Sequence, residues 1–164
     1  MSENGPFVFF WDGPFSQWHP SPMTVAGVSY GCAEQFMMHA KALLFGDGQA
    51  AAAILATSDP YEHKRLGRLV RDYREEIWVA ARRHVVFVGS VAKYSQNPDL
   101  LALLLATGNA RLVQASPIDR LWGIGFKADD PRAQDPAQWR GVNLLGDILT
   151  EVRDCLRAMA AINS

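Results

Sequence analysis

The segment Cys32-Ala33-Glu34-Gln35-Phe36-Met37-Met38-His39-Ala40-Lys41-Ala42-Leu43-Leu44-Phe45 puts charges where a core stripe belongs. At 3.6 residues per turn, Glu34, Met37, Met38, Lys41, Leu44 and Phe45 share one face of a helix. A fold that buries that face must pair or hydrogen-bond its carboxylate and its ammonium, because an isolated charge out of water is very costly. A buried lysine tends to lose its proton, since desolvation disfavours the charged form. The neutral amine is then a nucleophile toward an aldehyde-like carbon, and a nearby carboxyl can donate or accept the proton. Glu34 and Lys41 are therefore a candidate catalytic pair. The competing reading is a lysine snorkelling off a helix whose core face is Phe36, Ala40, Leu43 and Leu44.

A second stretch concentrates glycine, tryptophan and single acids: Asp119-Arg120-Leu121-Trp122-Gly123-Ile124-Gly125, followed by Gly141-Val142-Asn143-Leu144-Leu145-Gly146. Gly141-x-Asn143-x-x-Gly146 at a helix start offers backbone N–H groups that suit a phosphate. The alternative is a plain Asn cap and a glycine needed for packing. The spacing echoes a dinucleotide fingerprint, but no strand precedes it, which speaks against that reading. Trp78 and Trp122 are candidates to stack on a base, and Arg68, Arg71 and Arg153 to hold phosphates bidentately. Each has an ordinary structural reading as well.

The rest of the chain limits the field. Its 164 residues are 49% hydrophobic, enough for one domain with a real core. Sixteen basic and seventeen acidic residues give a formal charge of −1, so no global field draws the chain to DNA or to a membrane. Cys32 and Cys155 make no CxxC, which fits free thiols in a reducing, cytoplasmic setting. Cys32 beside a helix N-terminus is either a packed cysteine or a low-pKa thiol. The first six residues lack a basic stretch before an apolar one, so no secretory leader is expected. No apolar run nears membrane-spanning length. His19, His39, His63 and His84 lack metal-ligand spacing, and neither a Walker A motif nor GxSxG is present. No metal or cofactor is expected.

Breakers and caps divide the chain. Phe7–Trp11 reads as a strand, residues 12–22 as loop and Thr24–Tyr30 as a hairpin. Helices are expected from Glu34 toward Gly46, at Ala50–Ala56, from Asp59-Pro60 toward Val70, and at Glu75–Lys93 and Leu100–Ala106. Val113 lies in a brief strand, and Phe126–Trp139 forms a long loop. A last helix opens at Asn143, with Leu145, Ile148, Leu149, Val152, Leu156 and Met159 inward. The expected fold is a predominantly helical α+β single compact domain over residues 1–164, with a few short strands.

Several motifs in order resemble the NADAR family, the YbiA-like N-glycosidases. They are Pro14-Phe15-Ser16-Gln17-Trp18, Glu34 through Ala42, Leu66-Gly67-Arg68, Trp78, Ala92-Lys93-Tyr94-Ser95-Gln96-Asn97-Pro98, Leu104 through Gly108, Ser116-Pro117-x-Asp119, Trp122 through Gly125, Trp139-x-Gly141-x-Asn143-Leu144-Leu145-Gly146 and Arg153. The similarity runs from about Phe9 to Leu156. Gln17 replaces the family's usual Asn, and Tyr94 its usual Phe.

The resemblance implies hydrolysis of N-glycosidic bonds to ribose, without a cofactor. Two substrate classes go with it: ADP-ribose on a guanine of nucleic acid, and the phosphoribosylamino-pyrimidine intermediates of riboflavin synthesis. The first implies DNA as a possible partner and an ADP-ribosyltransferase toxin as counterpart; no membrane partner is implied. Joined to the residue reading, it makes Lys41 the nucleophile of a Schiff base, with Glu34 and Asp119 as the acid–base groups. Trp78, Trp122 and Gly123 would shape the pocket. Asn143, Gly146 and Arg68 would meet phosphate. Two other classes stay open: a non-catalytic NAD or ADP-ribose binding module, which needs no nucleophile, and an interaction protein with no pocket near Glu34.

Overall fold

A computed structural model describes residues 5–164. The leader reading of the first six residues falls mainly on Met1–Asn4, outside the described residues. Among the described residues the chain forms six α-helices and four short strands, the predominantly helical α+β architecture expected. It resolves into two compact units. One is Gln17–Asn97. The other joins the residues up to Ser16 with Pro98–Ser164.

The Gln17–Asn97 unit opens with strands β2 (Met23–Val25) and β3 (Val28–Tyr30), an antiparallel hairpin. Ala26 and Gly27 turn it, with φ of 51° and 79°, the left-handed pair a two-residue hairpin needs. Helix α1 (Ala33–Leu44) follows. It packs against α2 (Gly48–Leu55), α3 (Pro60–Arg68) and α4 (Glu75–Ser95). Asp47 caps α2, and Asp59 caps α3 with Pro60 in its first turn. Met23, Tyr30, Phe36 and Ala92 form a core cluster under the hairpin.

Because neighbours surround α1, its residues 33–39 are buried on every face. The polar ones are satisfied locally. Gln35 accepts from the Gly31 N–H and donates to the Ile54 and Thr57 carbonyls. His39 Nδ1 lies 2.8 Å from the Tyr30 hydroxyl. Of the alternative core face, Phe36 is buried and Leu43 and Leu44 are exposed, Leu44 being common to both readings.

In the other unit, β1 (Phe7–Phe10) pairs in parallel with β4 (Arg111–Gln114). Val113, Ile124, Phe126 and Ala133 form its core with Phe7, Phe9 and Trp139. Helix α5 (Pro98–Leu105) precedes β4, and α6 (Leu144–Ile162) packs across β4. The expected inner stripe of α6 is buried except at Met159, which is half exposed. Arg153 is buried too, bonded to Thr107 Oγ1 and the Ala110 carbonyl. It therefore ties α6 to the turn before β4, and is not a free phosphate ligand.

Asn143 and Gly146 need a correction of the same kind. The start of α6 has no vacant N–H cradle. Val142, Asn143, Leu144 and Leu145 donate to the carbonyls of Arg120, Gly123, Leu121 and Trp122 at 3.0–3.1 Å. Asn143 is wholly buried in the left-handed region, φ 54°. Its Oδ1 accepts from Gln114 N at 2.9 Å, and its Nδ2 donates to the Leu112 carbonyl at 3.0 Å. A Cβ on Gly146 would overlap the Leu112 carbonyl oxygen and the Asn143 amide. Gly146 is thus the close-approach point of α6 on β4.

Gly146→Ala should destabilise the protein by about 2–3 kcal/mol, the cost of overpacking a rigid contact. The gain in helix propensity, about 1 kcal/mol, does not offset it. Urea unfolding of the two proteins checks this; a more stable variant would contradict the packing role.

Candidate active site

Glu34 sits in the first turn of α1, 5% exposed. Its backbone N–H donates to the Gln17 carbonyl at 2.9 Å. Lys41 is two turns on along the same face and half-buried. Its Nζ lies 4.6 Å from the ring centroid of Tyr73 and 5.6 Å from that of Trp78. Tyr73 in turn packs on Phe45 at 5.4 Å. Burial pushes the Lys41 pKa down. Glu34 and Glu75 pull it back up and Arg68 pushes it further down, with the net shift downward. The result is an amine more readily neutral than an exposed lysine, on an aromatic platform, within the field of two carboxylates.

Four of the residues singled out from sequence thus share this unit: Glu34, Lys41, Arg68 and Trp78. Arg68 is the exposed last residue of α3, and Trp78 is buried in the first turn of α4. Arg71 is otherwise engaged, paired with Asp47 at 3.1 Å. Tyr73 and Glu75 were not foreseen. Their signal in the sequence is the spacing Tyr73-x-Glu75-x-x-Trp78 at a helix start, which puts them beside a candidate stacking tryptophan.

A second buried lysine was visible only as part of a motif. Lys93 of α4 is 1% exposed, and burial holds its pKa down at about 7, with Cys32 acting to raise it. Nearby, His63 Nε2 is 2.7 Å from the Thr57 carbonyl. A carbonyl only accepts, so Nε2 carries the proton and Nδ1 is free to accept. The Cys32 thiol is 3.8 Å from Nδ1 and donates to it. Burial pushes the Cys32 pKa up, so it is a packed thiol and not an activated one.

The remaining nominees lie in the other unit. Asp119 Oδ1 accepts from the N–H groups of Leu121 and Trp122 at 3.0 and 2.8 Å. Its Oδ2 has no hydrogen-bond partner among the described residues. One oxygen therefore fixes the turn while the other makes no hydrogen bond among the described residues. Trp122 is half-buried. Gly123 is structural, since a Cβ there would come within 2.7 Å of the Gln114 carbonyl. The same unit has an open cleft of about 610 Å³ at the carboxyl ends of β1 and β4, lined by Phe9, Trp11, Phe15, Lys127 and Asp129 among others. None of the nominated residues lines it. Among the described residues no His, Cys, Asp and Glu cluster could hold a metal ion, and no helix is long and apolar enough to cross a membrane.

The NADAR domain family model matches residues 9–157, nearly the whole chain and both units. The chain belongs to the NADAR family. This NADAR protein is 42% identical over 145 residues to N-glycosidase R617 of Acanthamoeba polyphaga mimivirus, with 85% of each chain covered. It is 30% identical to N-glycosidase YbiA of Escherichia coli, covering 88% of this chain and 81% of that one. It is also 35% identical to protein irg-1 of Caenorhabditis elegans, covering 90% and 78%. The NMR structure of E. coli YbiA superposes with a TM-score of 0.76 at 28% identity, over 94% of this chain and 87% of that one.

The buried Lys93 gives this NADAR protein a pH signature. Its folded pKa lies below that of an unfolded lysine, so between them the unfolded chain binds more protons. Folding stability therefore rises with pH from about 7 toward 10.5. Comparing wild type with Lys93→Met removes the contributions of other groups. From pH 7 to pH 9 the difference should move in favour of wild type by about 2 kcal/mol, at about 1.4 kcal/mol per pH unit. Urea unfolding of both proteins at the two pH values measures it, and a pH-independent difference would contradict it.

Proposed function

We propose that this NADAR protein releases ADP-ribose from guanine in nucleic acid through a Schiff base on Lys41. The coarse class is a hydrolase acting on N-glycosyl bonds, the class named for its relatives. The observation that carries the finer reading is Lys41 itself, half-buried against Tyr73 and Trp78 with its pKa lowered and Glu34 on the same helix face. Lys93 has the more depressed amine, but it is sealed from solvent. Lys41 is the one a substrate carbon can reach.

The chemistry proceeds in balanced steps. The Glu34 carboxylic acid protonates the ribose ring oxygen as the nitrogen lone pair opens the ring to a C1 iminium. Neutral Lys41 adds its lone pair to C1. A proton passes from the lysine nitrogen to the base nitrogen, the C1–N bond to the base breaks, and a lysine iminium remains. Water adds to C1, one of its protons passes to the lysine nitrogen as the Lys41–C1 bond breaks, the other returns to the carboxylate, and the free aldehyde recloses to the sugar. Glu34 suits the acid's part because it is buried on the face of α1 that carries Lys41. Trp78 would flank the base or sugar, and Arg68 the anionic part. An ADP-ribosyltransferase, acting on DNA in the cytoplasm, would supply the substrate. A phosphoribosylamino-pyrimidine presents the same C1–amine bond and is the alternative substrate to assay in parallel.

Lys41→Ala should abolish turnover in a protein that still folds. Borohydride added during turnover should leave a reduced sugar adduct on Lys41, located by peptide mass spectrometry. An adduct on Lys93, or full activity with no adduct, would remove Lys41 from the mechanism. An absence of turnover with every ribosylated substrate, alongside tight ADP-ribose binding, would favour a binding module.

Glu34→Gln keeps shape but loses proton transfer. The rate should fall by roughly 10²–10⁴ with binding retained, the usual scale for a general acid or base. A near-normal rate would reduce Glu34 to a partner of Lys41.

A further inference from the structure

An anchored loop holds Tyr73 against the Lys41 amine. The connection from α3 to α4 is pinned to the start of α2, where the Asp47 carboxylate accepts from the Arg71 backbone N–H at 2.9 Å and from its guanidinium at 3.1 Å. Asp72 then takes the left-handed region, φ 58°, which few residue types accept. Tyr73 follows and packs on Phe45, the residue that ends α1. The Lys41 Nζ lies 4.6 Å from the Tyr73 ring centroid and 5.6 Å from that of Trp78, both within cation–π range. Tyr73 is 40% exposed, and its hydroxyl makes no hydrogen bond among the described residues. The ring, rather than the hydroxyl, is the part that meets the amine.

The charge on that nitrogen changes along the reaction. In the lysine mechanism above, Nζ attacks C1 as a neutral amine. After its proton has passed to the base nitrogen, its lone pair forms the C1=N bond. The C1–N bond to the base breaks at the same time, and its electron pair leaves with the base nitrogen. Nζ ends as an iminium cation. An aromatic face attracts the cation and is nearly indifferent to the neutral amine, so the contact strengthens on the way to the transition state.

We propose that Tyr73 is a catalytic residue whose ring stabilises the Lys41 iminium by cation–π contact. The proposal rests on the Lys41 reading above and gives the nearer ring of the aromatic platform a chemical part in it. Charged neighbours act on the same pair. Glu34 and Glu75 favour the Lys41 ammonium and Arg68 disfavours it. Burial, Glu75 and Glu76 keep the Tyr73 hydroxyl protonated, with Arg82 acting the other way. All of these stay constant when only the π-charge of the ring is altered, which is how the ring's part can be isolated.

The test replaces Tyr73 in the full chain by phenylalanine, then by phenylalanines carrying one, two and three ring fluorines, which drain the π face and nearly preserve shape. Tyr73→Phe should keep close to wild-type turnover, since the ring remains. Across the fluorinated series kcat should fall stepwise, by about 2- to 30-fold in all, with KM unchanged. Tyr73→Leu should lose about as much. The loss should depend on pH. Where Lys41 starts neutral, the ring acts only on the developing cation and the full loss appears. Where Lys41 starts as an ammonium, the ring stabilises the starting state too, and the rates of the series should converge. A further readout needs no turnover: the Lys41 pKa, followed by NMR of isotope-labelled lysine and assigned with Lys41→Arg, should fall as fluorine is added, because a weaker contact disfavours the ammonium.

Should Tyr73→Leu fail to fold, the fluorinated series, constant in shape, decides the matter. A Lys41 pKa that does not move across the series overturns the proposal. So does a rate loss that is equal at every pH, which is what altered packing gives. Turnover that survives Lys41→Ala, or no turnover with any ribosylated substrate, removes the catalytic reading and with it the part of Tyr73. The pKa series separates that failure from this one, since it reports the ring contact whether or not Lys41 is the nucleophile.

Discussion

Enclosure of α1 is the constraint on which the Gln17–Asn97 unit depends. Three helices pack on α1, so its first two turns have no solvent face. Every polar group there must find a partner within the fold, because an unmet hydrogen bond costs the full desolvation of the group. Gln35 meets three backbone groups and His39 meets Tyr30. The same enclosure half-buries Lys41 and lowers its pKa. Packing and reactivity therefore have one origin. The helix that organises the unit also strips water from the amine.

The other unit is organised by a polar hub of different purpose. The Asn143 amide joins β4 to the start of α6 with three hydrogen bonds. Carbonyls of residues 120–123 take up the N–H groups that a helix start normally leaves open. Glycines at 123 and 146 let backbone meet backbone at a distance that no side chain permits. Such a hub resembles an anion cradle in sequence because both need glycine beside a helix N-terminus. They differ in whether the donors are already spent, and here they are. Asp119 shows the intermediate case, with one oxygen holding its turn and one unbonded.

The distribution of charge follows the same logic. Three arginines of the Gln17–Asn97 unit pair with a carboxylate, Arg65 with Glu62, Arg71 with Asp47 and Arg74 with Glu76; the exposed pairs contribute little. Arg68 acts on Lys41 alongside Glu34 and Glu75, so charges of both signs reach the platform of Tyr73, Trp78 and Lys41.

Local signals in the sequence determined the elements. Asp59-Pro60 marked the start of α3, Gly27 the hairpin turn, and the apolar stripe the course of α6, because caps, turns and periodicity act over a few residues. Spacing also put Glu34 and Lys41 on one helix face, and the order of motifs was sufficient for the family. Only the tertiary structure decided which of those residues are available to a ligand. It occupied Asn143, Gly146, Arg71 and Arg153 with structural partners, buried Lys93 and exposed Met159. The physical reason is that availability depends on whether a donor, acceptor or charge is already satisfied. That is settled by neighbours distant in the chain, such as Leu112 and Gln114 for Asn143, and Thr107 and Ala110 for Arg153.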